Sequence, residues 1–130
     1  MTVRARLLLW APVVLLLAYE AYLSGQSRLP GLGVDVPQFD KLEHVVYFFL
    51  VGLAAVRAAR FGESWARGKT AVFLVLLAVL WGCLDEIHQS YVPYRDVEIG
   101  DVVADTAGVA LAVVFGERIL RKTRLDRTIR

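Results

Sequence analysis

The chain has 130 residues, of which 57% are hydrophobic, and its mean hydropathy is +0.52. Soluble globular proteins contain roughly 45–50% apolar residues, so this composition favours a membrane protein with one domain. The formal net charge of +2 is too small to indicate a nucleic-acid-binding protein, and the basic residues do not alternate with aromatic ones. Cys83 is the single cysteine, which excludes an internal disulfide, and its position in an apolar run predicts a small buried residue.

Four apolar segments are predicted to form transmembrane helices. Their expected ranges are 6–23, 41–59, 69–91 and 99–118. The apolar cores of the last three are shorter than the roughly 20 residues that span a bilayer, so the polar residues at their ends must lie at membrane depth. No segment has the broad polar stripe of a soluble amphipathic helix, which disfavours a water-soluble bundle. The predicted fold is all-α: a four-helix membrane bundle that forms a single domain over residues 1–130.

The first segment also has features of a signal peptide, because Arg4 and Arg6 precede its apolar stretch. Glu20 in its distal part and the large side chains of Tyr22 and Leu23 fit a cleavage site poorly. A retained helix is therefore predicted. The next residues, 24–38, contain three glycines and two prolines and are predicted to form a loop. The turn between the second and third segments, 61–68, is predicted to be short and polar.

The distribution of arginine and lysine predicts the orientation in the membrane. Twelve of the 15 basic residues lie near the two termini or in the turn between the second and third segments. The remaining three are Arg28, Lys41 and Arg95. Positively charged segments stay on the cytoplasmic side. Both termini are therefore expected to be cytoplasmic, with the loops 24–38 and 91–100 outside the cytoplasm.

Polar residues on the four segments are predicted to lie at one depth. At about 1.5 Å per residue, Glu20, His44, Asp85 and Asp105 lie roughly 18–24 Å from the cytoplasmic ends of their helices. This distance corresponds to the outer third of a hydrocarbon core of about 30 Å. Charged side chains at bilayer depth are costly and commonly mark functional sites. The four segments together therefore predict a polar site near the outer face of the membrane.

Helical spacing predicts which of these side chains share a face. Asp40, His44 and Tyr47 form one row on the second segment. Asp101, Asp105 and Gly108 form another row on the fourth. The small residues Ala104, Ala107, Gly108 and Ala112 are expected to let the fourth helix approach its neighbours closely. Inward-facing rows would enclose a polar pocket that opens to the extracytoplasmic side.

A single buried polar residue more often serves interhelical packing than chemistry, but a group of this size exceeds what packing requires. The residues predicted to be catalytic are Glu86, Asp101, His44 and His88. Those predicted to bind substrate are Arg95, Gln89, Asp40, Tyr47, Asp85 and Asp105. Arg95 would hold an anionic phosphate or carboxylate. Glu86 or Asp101 would act as general base, with His44 or His88 as the acid–base partner.

The sequence contains no compact metal motif such as HExxH and does not identify a cofactor. If a divalent metal binds, its expected ligands combine imidazole and carboxylate groups. The four candidates are His44, Glu86, Asp101 and Asp105.

The same polar residues resemble the VanZ-like family, named for a teicoplanin-resistance protein of glycopeptide-resistant bacteria. The resemblance is carried by Ser24-Gly25-Gln26-Ser27, Asp40-Lys41 with His44 and Tyr47, Asp85-Glu86-Ile87-His88-Gln89-Ser90, Val92-Pro93-Tyr94-Arg95, and the series Asp101, Asp105, Gly108. The family often has serine at the position of Gly25 and glycine at the position of Tyr94. The turn before Arg95 is expected to differ, because tyrosine tolerates positive φ less well than glycine.

The resemblance implies a multi-pass protein of the bacterial cytoplasmic membrane that acts at the cell envelope, with a link to teicoplanin resistance. We expect its pocket to bind, and to process chemically, a lipid-linked or amphipathic envelope molecule. One alternative is a resistance factor that binds the ligand without altering it. Another is a component of a proton- or ion-coupled carrier. Four short spans without internal repeats disfavour a standalone carrier, so this alternative would require an oligomer.

Overall fold

The computed structural model describes residues 2–27 and 39–123. They form the helices α1 (Val3–Ser24), α2 (Phe39–Val56), α3 (Arg67–Gln89) and α4 (Ile99–Lys122), and α2 continues into a π-helical segment, Arg57–Gly62. The described ranges contain no strand. The predicted all-α fold is therefore confirmed. Most of the predicted loop 24–38 lies outside the described residues, as do the basic residues Arg28, Arg124, Arg127 and Arg130.

All four helical segments are long and apolar enough to cross a membrane, with lengths of 22 to 24 residues. At 1.5 Å per residue, such helices extend about 33–36 Å, which exceeds a hydrocarbon core of about 30 Å. Large apolar side chains cover the outside of the bundle: Leu15, Leu76 and Val114 are each more than 60% exposed. A soluble monomer rarely exposes so much apolar surface. The bundle is that of a multi-pass membrane protein.

Small residues bring α2 and α4 into close contact. A Cβ atom at Gly108 would lie 2.4 Å from the carbonyl oxygen of Val45, and one at Gly52 would lie 2.6 Å from the Cβ of Ala112. Any side chain at these glycines would force the two helices apart. Membrane helices depend on such close approach, because burial of apolar surface gives little driving force within lipid. The predicted packing role of Gly108 and Ala112 is confirmed.

The first helix packs as part of the bundle. Leu9 and Val13 are buried, and the Leu16 carbonyl of α1 accepts a hydrogen bond of 2.7 Å from the Tyr47 hydroxyl of α2. Gly62 lies against Leu9 at the other end of the helix. These contacts join α1 to α2 and to the π-helical segment that follows it.

Cys83 is exposed, so the prediction that it is buried was wrong. In a soluble protein an apolar run on a helix indicates the core. In a membrane bundle the lipid-facing side is apolar as well, so the run does not distinguish the two environments.

Two short connections contain one residue each in the left-handed backbone region. Ser64 follows the π-helical segment with φ 57°, and Tyr94 precedes Arg95 with φ 63°. The turn at Tyr94 therefore has a conformation that favours glycine, although a tyrosine occupies it. The Arg95 amide donates to the Val92 carbonyl at 3.3 Å, which closes this turn.

Candidate functional site

His44 of α2 and Asp105 of α4 form the centre of the polar end of the bundle. His44 Nδ1 lies 2.7 Å from Asp105 Oδ1, and the Asp105 side chain is 3% exposed. Gly108 lies one helical turn beyond Asp105, where its lack of a side chain lets α2 approach. The carboxylate fixes the orientation of the imidazole ring. If Nδ1–H donates to Asp105, Nε2 becomes the nitrogen that exchanges a proton with a ligand.

Asp101 connects this pair to a second cluster around Lys41. Its Oδ2 lies 3.9 Å from His44 Nε2, and its Oδ1 lies 2.5 Å from Lys41 Nζ. The same ammonium group lies 2.5 Å from Asp40 and 2.7 Å from Glu98. Sequence reasoning assigned no role to Lys41. Its position three residues before His44 places it on the same face of α2 and was the signal for it.

Three of the four residues predicted as metal ligands lie outside the group of carboxylates whose geometry could hold a metal ion. Among the described residues, oxygen atoms of Asp40, Glu98 and Asp101 lie within 4.8 Å of one another. Of the four predicted ligands, Asp101 alone belongs to that group. The Lys41 ammonium lies among these three carboxylates and balances part of their charge. The arrangement therefore works as an ion-pair cluster that ties the start of α2 to the start of α4.

Glu86 contacts the backbone at the start of α4. Its Oε2 accepts a hydrogen bond of 2.7 Å from the amide of Glu98, the residue before that helix. The first amides of a helix have no partner within it, so a buried carboxylate stabilises them. Glu86 does not line the cavity that His44 borders. The structure thus places this predicted base in a supporting position beneath the loop between α3 and α4.

Asp85 lies near two other side chains at the end of α3. The Gln89 amide donates to Asp85 at 2.7 Å, and His88 Nδ1 lies 3.9 Å from the same carboxylate. The His88 side chain is 50% exposed and does not line the cavity beside His44. The two histidines therefore occupy different environments, and His44 is the one that lies between helices.

Glu20 of α1 is also paired. Its carboxylate accepts a hydrogen bond of 2.8 Å from the indole nitrogen of Trp81 on α3. Sequence reasoning placed Glu20 at the depth of the polar site and named no partner for it. The pair was not predictable, because an indole donor and a carboxylate 61 residues apart carry no pattern in the sequence.

A cavity of about 250 Å³ opens between α1, α2 and the end of α3. It is lined by Glu20, Leu23, Ser24, Glu43, His44, Tyr47, Phe48, Gln89 and Arg95. Four of the predicted site residues, His44, Tyr47, Gln89 and Arg95, thus border one space. Asp101 and Asp105 lie beside His44 but do not line the cavity. Asp40, Asp85, Glu86 and His88 do not line it either.

Two polar atoms at this cavity have no protein partner. Ser24 Oγ and Arg95 Nε are buried and form no hydrogen bond with the residues that the structure describes. An unsatisfied buried polar group costs about 1–3 kcal/mol. A guanidinium group can only donate, so a ligand at Arg95 must supply an acceptor oxygen. Sequence reasoning assigned no role to Ser24, although it belongs to the motif at 24–27.

Comparisons with known proteins identify a family for this chain. A family model for VanZ/LLP1 matches residues 7–120, a range that contains all the site residues named above. An uncharacterized protein of the fission yeast Schizosaccharomyces pombe is 31% identical over 118 residues, which cover 88% of this chain and 68% of the yeast protein. No solved structure matches the chain. Because this relative is eukaryotic, family membership alone does not imply a bacterial source. The chain belongs to the VanZ/LLP1 family.

Proposed function

We propose that the cavity beside His44 binds the anionic headgroup of an amphipathic molecule, of the class of lipid-linked cell-envelope precursors, and that His44 acts on it as a general acid–base. The observation that carries this proposal is the buried, unpartnered Nε of Arg95 on the cavity that His44 also lines. A phosphate or carboxylate oxygen would complete the hydrogen bonding of Arg95. It would then lie in the space that the imidazole also borders.

The size of the cavity supports a headgroup as its occupant. Its volume of about 250 Å³ is below the roughly 300–1,000 Å³ of pockets that enclose a drug-sized molecule. Leu23 and Phe48 contribute apolar wall beside the polar groups. A headgroup would therefore occupy the cavity, while the apolar tail remained in the bilayer next to α1 and α2.

The His44–Asp105 pair has the geometry of an acid–base residue with its orienting carboxylate. Asp105, buried at 2.7 Å from Nδ1, holds the ring in place and stabilises the imidazolium form. Asp101 lies near Nε2 and is itself held by Lys41. General acid–base catalysis contributes about 10²–10⁴-fold to a rate. In this proposal Asp101 positions the reacting proton, and Glu86 stabilises the loop that carries Arg95.

We also propose that this end of the bundle faces the outside and that both termini are cytoplasmic. The basic residues near Lys69 and Arg118 support this orientation. In a Cys83→Ala background, a membrane-impermeant maleimide applied to intact cells should label Ser27→Cys and leave Thr123→Cys unlabelled. Reversed labelling would contradict the orientation, and cell lysis should make both positions reactive.

Direct binding assays test the pocket. Purified protein in nanodiscs would be offered undecaprenyl phosphate, phosphatidic acid and a neutral diacylglycerol, with bound lipid identified by native mass spectrometry and released phosphate measured over time. Arg95→Gln should weaken binding of the phosphorylated lipids at least tenfold, since it removes a charge-assisted contact. Arg4→Gln removes the same charge from an exposed position and is the matched control.

His44→Gln separates catalysis from binding. We expect the rate of phosphate release from the bound lipid to fall about 10²–10⁴-fold. The affinity for the lipid should change little. Lipid that stays bound with unchanged mass in the wild type would instead support the non-enzymatic binder. Equal affinity of the wild type for charged and neutral lipids, or equal losses in Arg95→Gln and Arg4→Gln, would contradict the proposed headgroup site.

The proposed link to teicoplanin resistance depends on this pocket. Expression of the wild-type chain in a susceptible bacterium should raise the inhibitory concentration of teicoplanin, and Arg95→Gln should abolish the increase at equal protein abundance. An increase that persists in Arg95→Gln would separate resistance from the pocket. No increase in the wild type would contradict the resistance role.

A further inference from the structure

A second cavity, of about 480 Å³, lies at the opposite end of the bundle. It is formed where α3 begins, where α4 ends and where the π-helical segment follows α2. Its charged lining comprises Arg60, Arg67, Glu117 and Arg118. About 12 residues of α4 separate Asp105 from Glu117, which corresponds to about 18 Å along the helix. This cavity is therefore distinct from the one beside His44.

A single carboxylate organises the arginines at this cavity. Glu117 accepts from Arg60 Nε, and its second oxygen lies 3.0 Å from Arg67 Nη2. Arg60 also donates to the carbonyl of Trp65. The π-helical segment Arg57–Gly62 places Arg60 for both contacts. Three guanidinium groups and one carboxylate give the lining an excess of positive charge, so the cavity is complementary to an anion.

The start of α3 adds backbone donors to the same space. Ala66, the residue before the helix, makes no side-chain cap hydrogen bond within the described part of the chain. The first amides of α3 therefore have no acceptor on the side chain that precedes the helix. Gly68 lines the cavity, and a Cβ there would meet no described atom within 4 Å. Helix N-termini attract anions through these amides and the helix dipole.

The aromatic contacts at this end are of the kind found at a membrane interface. The Trp65 ring lies 6.0 Å from the Trp10 ring and 5.1 Å from the Phe73 ring. Lys69 Nζ lies 4.1 Å above Trp65. Tryptophan and lysine are typical of the headgroup level, where an apolar ring and a charged tip meet different environments. The arginine-lined cavity thus lies at the depth of lipid headgroups.

We propose that this cavity binds the phosphate of an anionic phospholipid whose acyl chains lie along α3 and α4. The arginines and the α3 amides bind the phosphate. The apolar side of the cavity contacts the acyl chains, and this contact favours a lipid over a free anion. Ala71, Val113 and Val114 line that side. Val114 is 65% exposed on the lipid-facing surface, so the cavity continues into the bilayer. The bound lipid would join the ends of α2, α3 and α4.

The test compares phosphatidylglycerol with phosphatidylcholine of identical acyl chains. Native mass spectrometry of the full chain in micelles should show a preference for phosphatidylglycerol. Arg67→Gln should weaken its binding about fivefold, since one arginine near a phosphate contributes about that factor. Arg67→Gln leaves Glu117 paired with Arg60, so the fold is preserved. Arg4→Gln, at the same end of the bundle and exposed, is the matched control.

A cavity-filling variant gives an independent test. Gly68→Leu should reduce phosphatidylglycerol binding at least tenfold by occupying the open space beside the helix, whereas Ala66→Leu lies outside the lining and should retain it. Equal binding of the two lipids would overturn the proposal, as would equal losses in Arg67→Gln and Arg4→Gln. Displacement of the lipid by millimolar inorganic phosphate would identify a free-anion site and would also overturn it.

Discussion

The two ends of the bundle hold charge in different ways. At the His44 end, three buried carboxylates pair with groups that titrate near neutrality or carry only dipoles: the imidazole for Asp105, an indole for Glu20 and an amide for Asp85. Beside them, Asp101 pairs with the Lys41 ammonium. At the other end, Glu117 pairs with two arginines. Arginine stays charged at any relevant pH, whereas histidine gains and loses a proton near neutrality. The first end therefore suits proton transfer, and the second suits lasting attachment of an anion.

The largest expected difference between the two ends is the amount that each charged pair contributes to the free energy of unfolding. His44→Ala leaves Asp105 buried without its partner, and such a loss costs about 3–5 kcal/mol. Arg67→Gln removes a pair whose arginine side chain is 78% exposed, so it should cost at most about 1 kcal/mol. Reversible unfolding in mixed micelles measures both free energies. The double variant His44→Ala/Asp105→Ala should recover part of the loss, and equal costs at the two ends would break the comparison.

The close approach of α2 and α4 at Gly108 predicts the next effect. Gly108→Ala should destabilise the bundle by about 1–3 kcal/mol, because its Cβ would lie 2.4 Å from backbone at Val45. Gly68→Ala should have little effect or a small gain, since the space beside Gly68 is open. The same unfolding assay compares the two. If Gly108→Ala is tolerated, α2 and α4 can move apart at this contact. The position of His44 against Asp105 would then not depend on the close approach of the two helices.

The number of helices and the polar end could be predicted because both follow from one-dimensional properties. Hydropathy identifies segments that can span a membrane, and the rise per residue places Glu20, His44 and Asp105 at a similar level. The rows Asp40–Tyr47 and Asp101–Gly108 followed from helical spacing. These inferences need no knowledge of which helices are neighbours.

The pairings could not be predicted, because they depend on how each helix is rotated against the next. In the structure Asp101 pairs with Lys41, and Glu86 accepts from the Glu98 amide. In the sequence alone, Asp101 and Glu86 were equally plausible as the catalytic base. The exposure of Cys83 was missed for the same reason. The arginine-lined cavity was also missed. In the sequence the basic residues served only to predict orientation in the membrane. Their number does not show that Arg60 and Arg67 share one carboxylate.

The smallest expected effect concerns the turn beside Arg95. Tyr94 has φ 63° and is 90% exposed, so its side chain adds strain to the backbone and little packing. The left-handed region costs about 1–2 kcal/mol for a residue with a Cβ, and a glycine relieves this strain. The greater chain entropy that glycine loses on folding offsets about 0.5–1 kcal/mol of the relief. Tyr94→Gly should therefore stabilise the protein by about 0.5–1 kcal/mol in the unfolding assay.

Tyr91→Gly is the control for this gain, because Tyr91 is also largely exposed but has no positive φ. It should destabilise the protein slightly through chain entropy alone. If the strained turn also holds Arg95 at the cavity, Tyr94→Gly should weaken binding of a phosphorylated lipid while it raises stability, since a glycine lets the turn sample other conformations. A gain in both properties would show that the turn only connects α3 to α4, and the position of Arg95 would then depend on the Glu86–Glu98 contact.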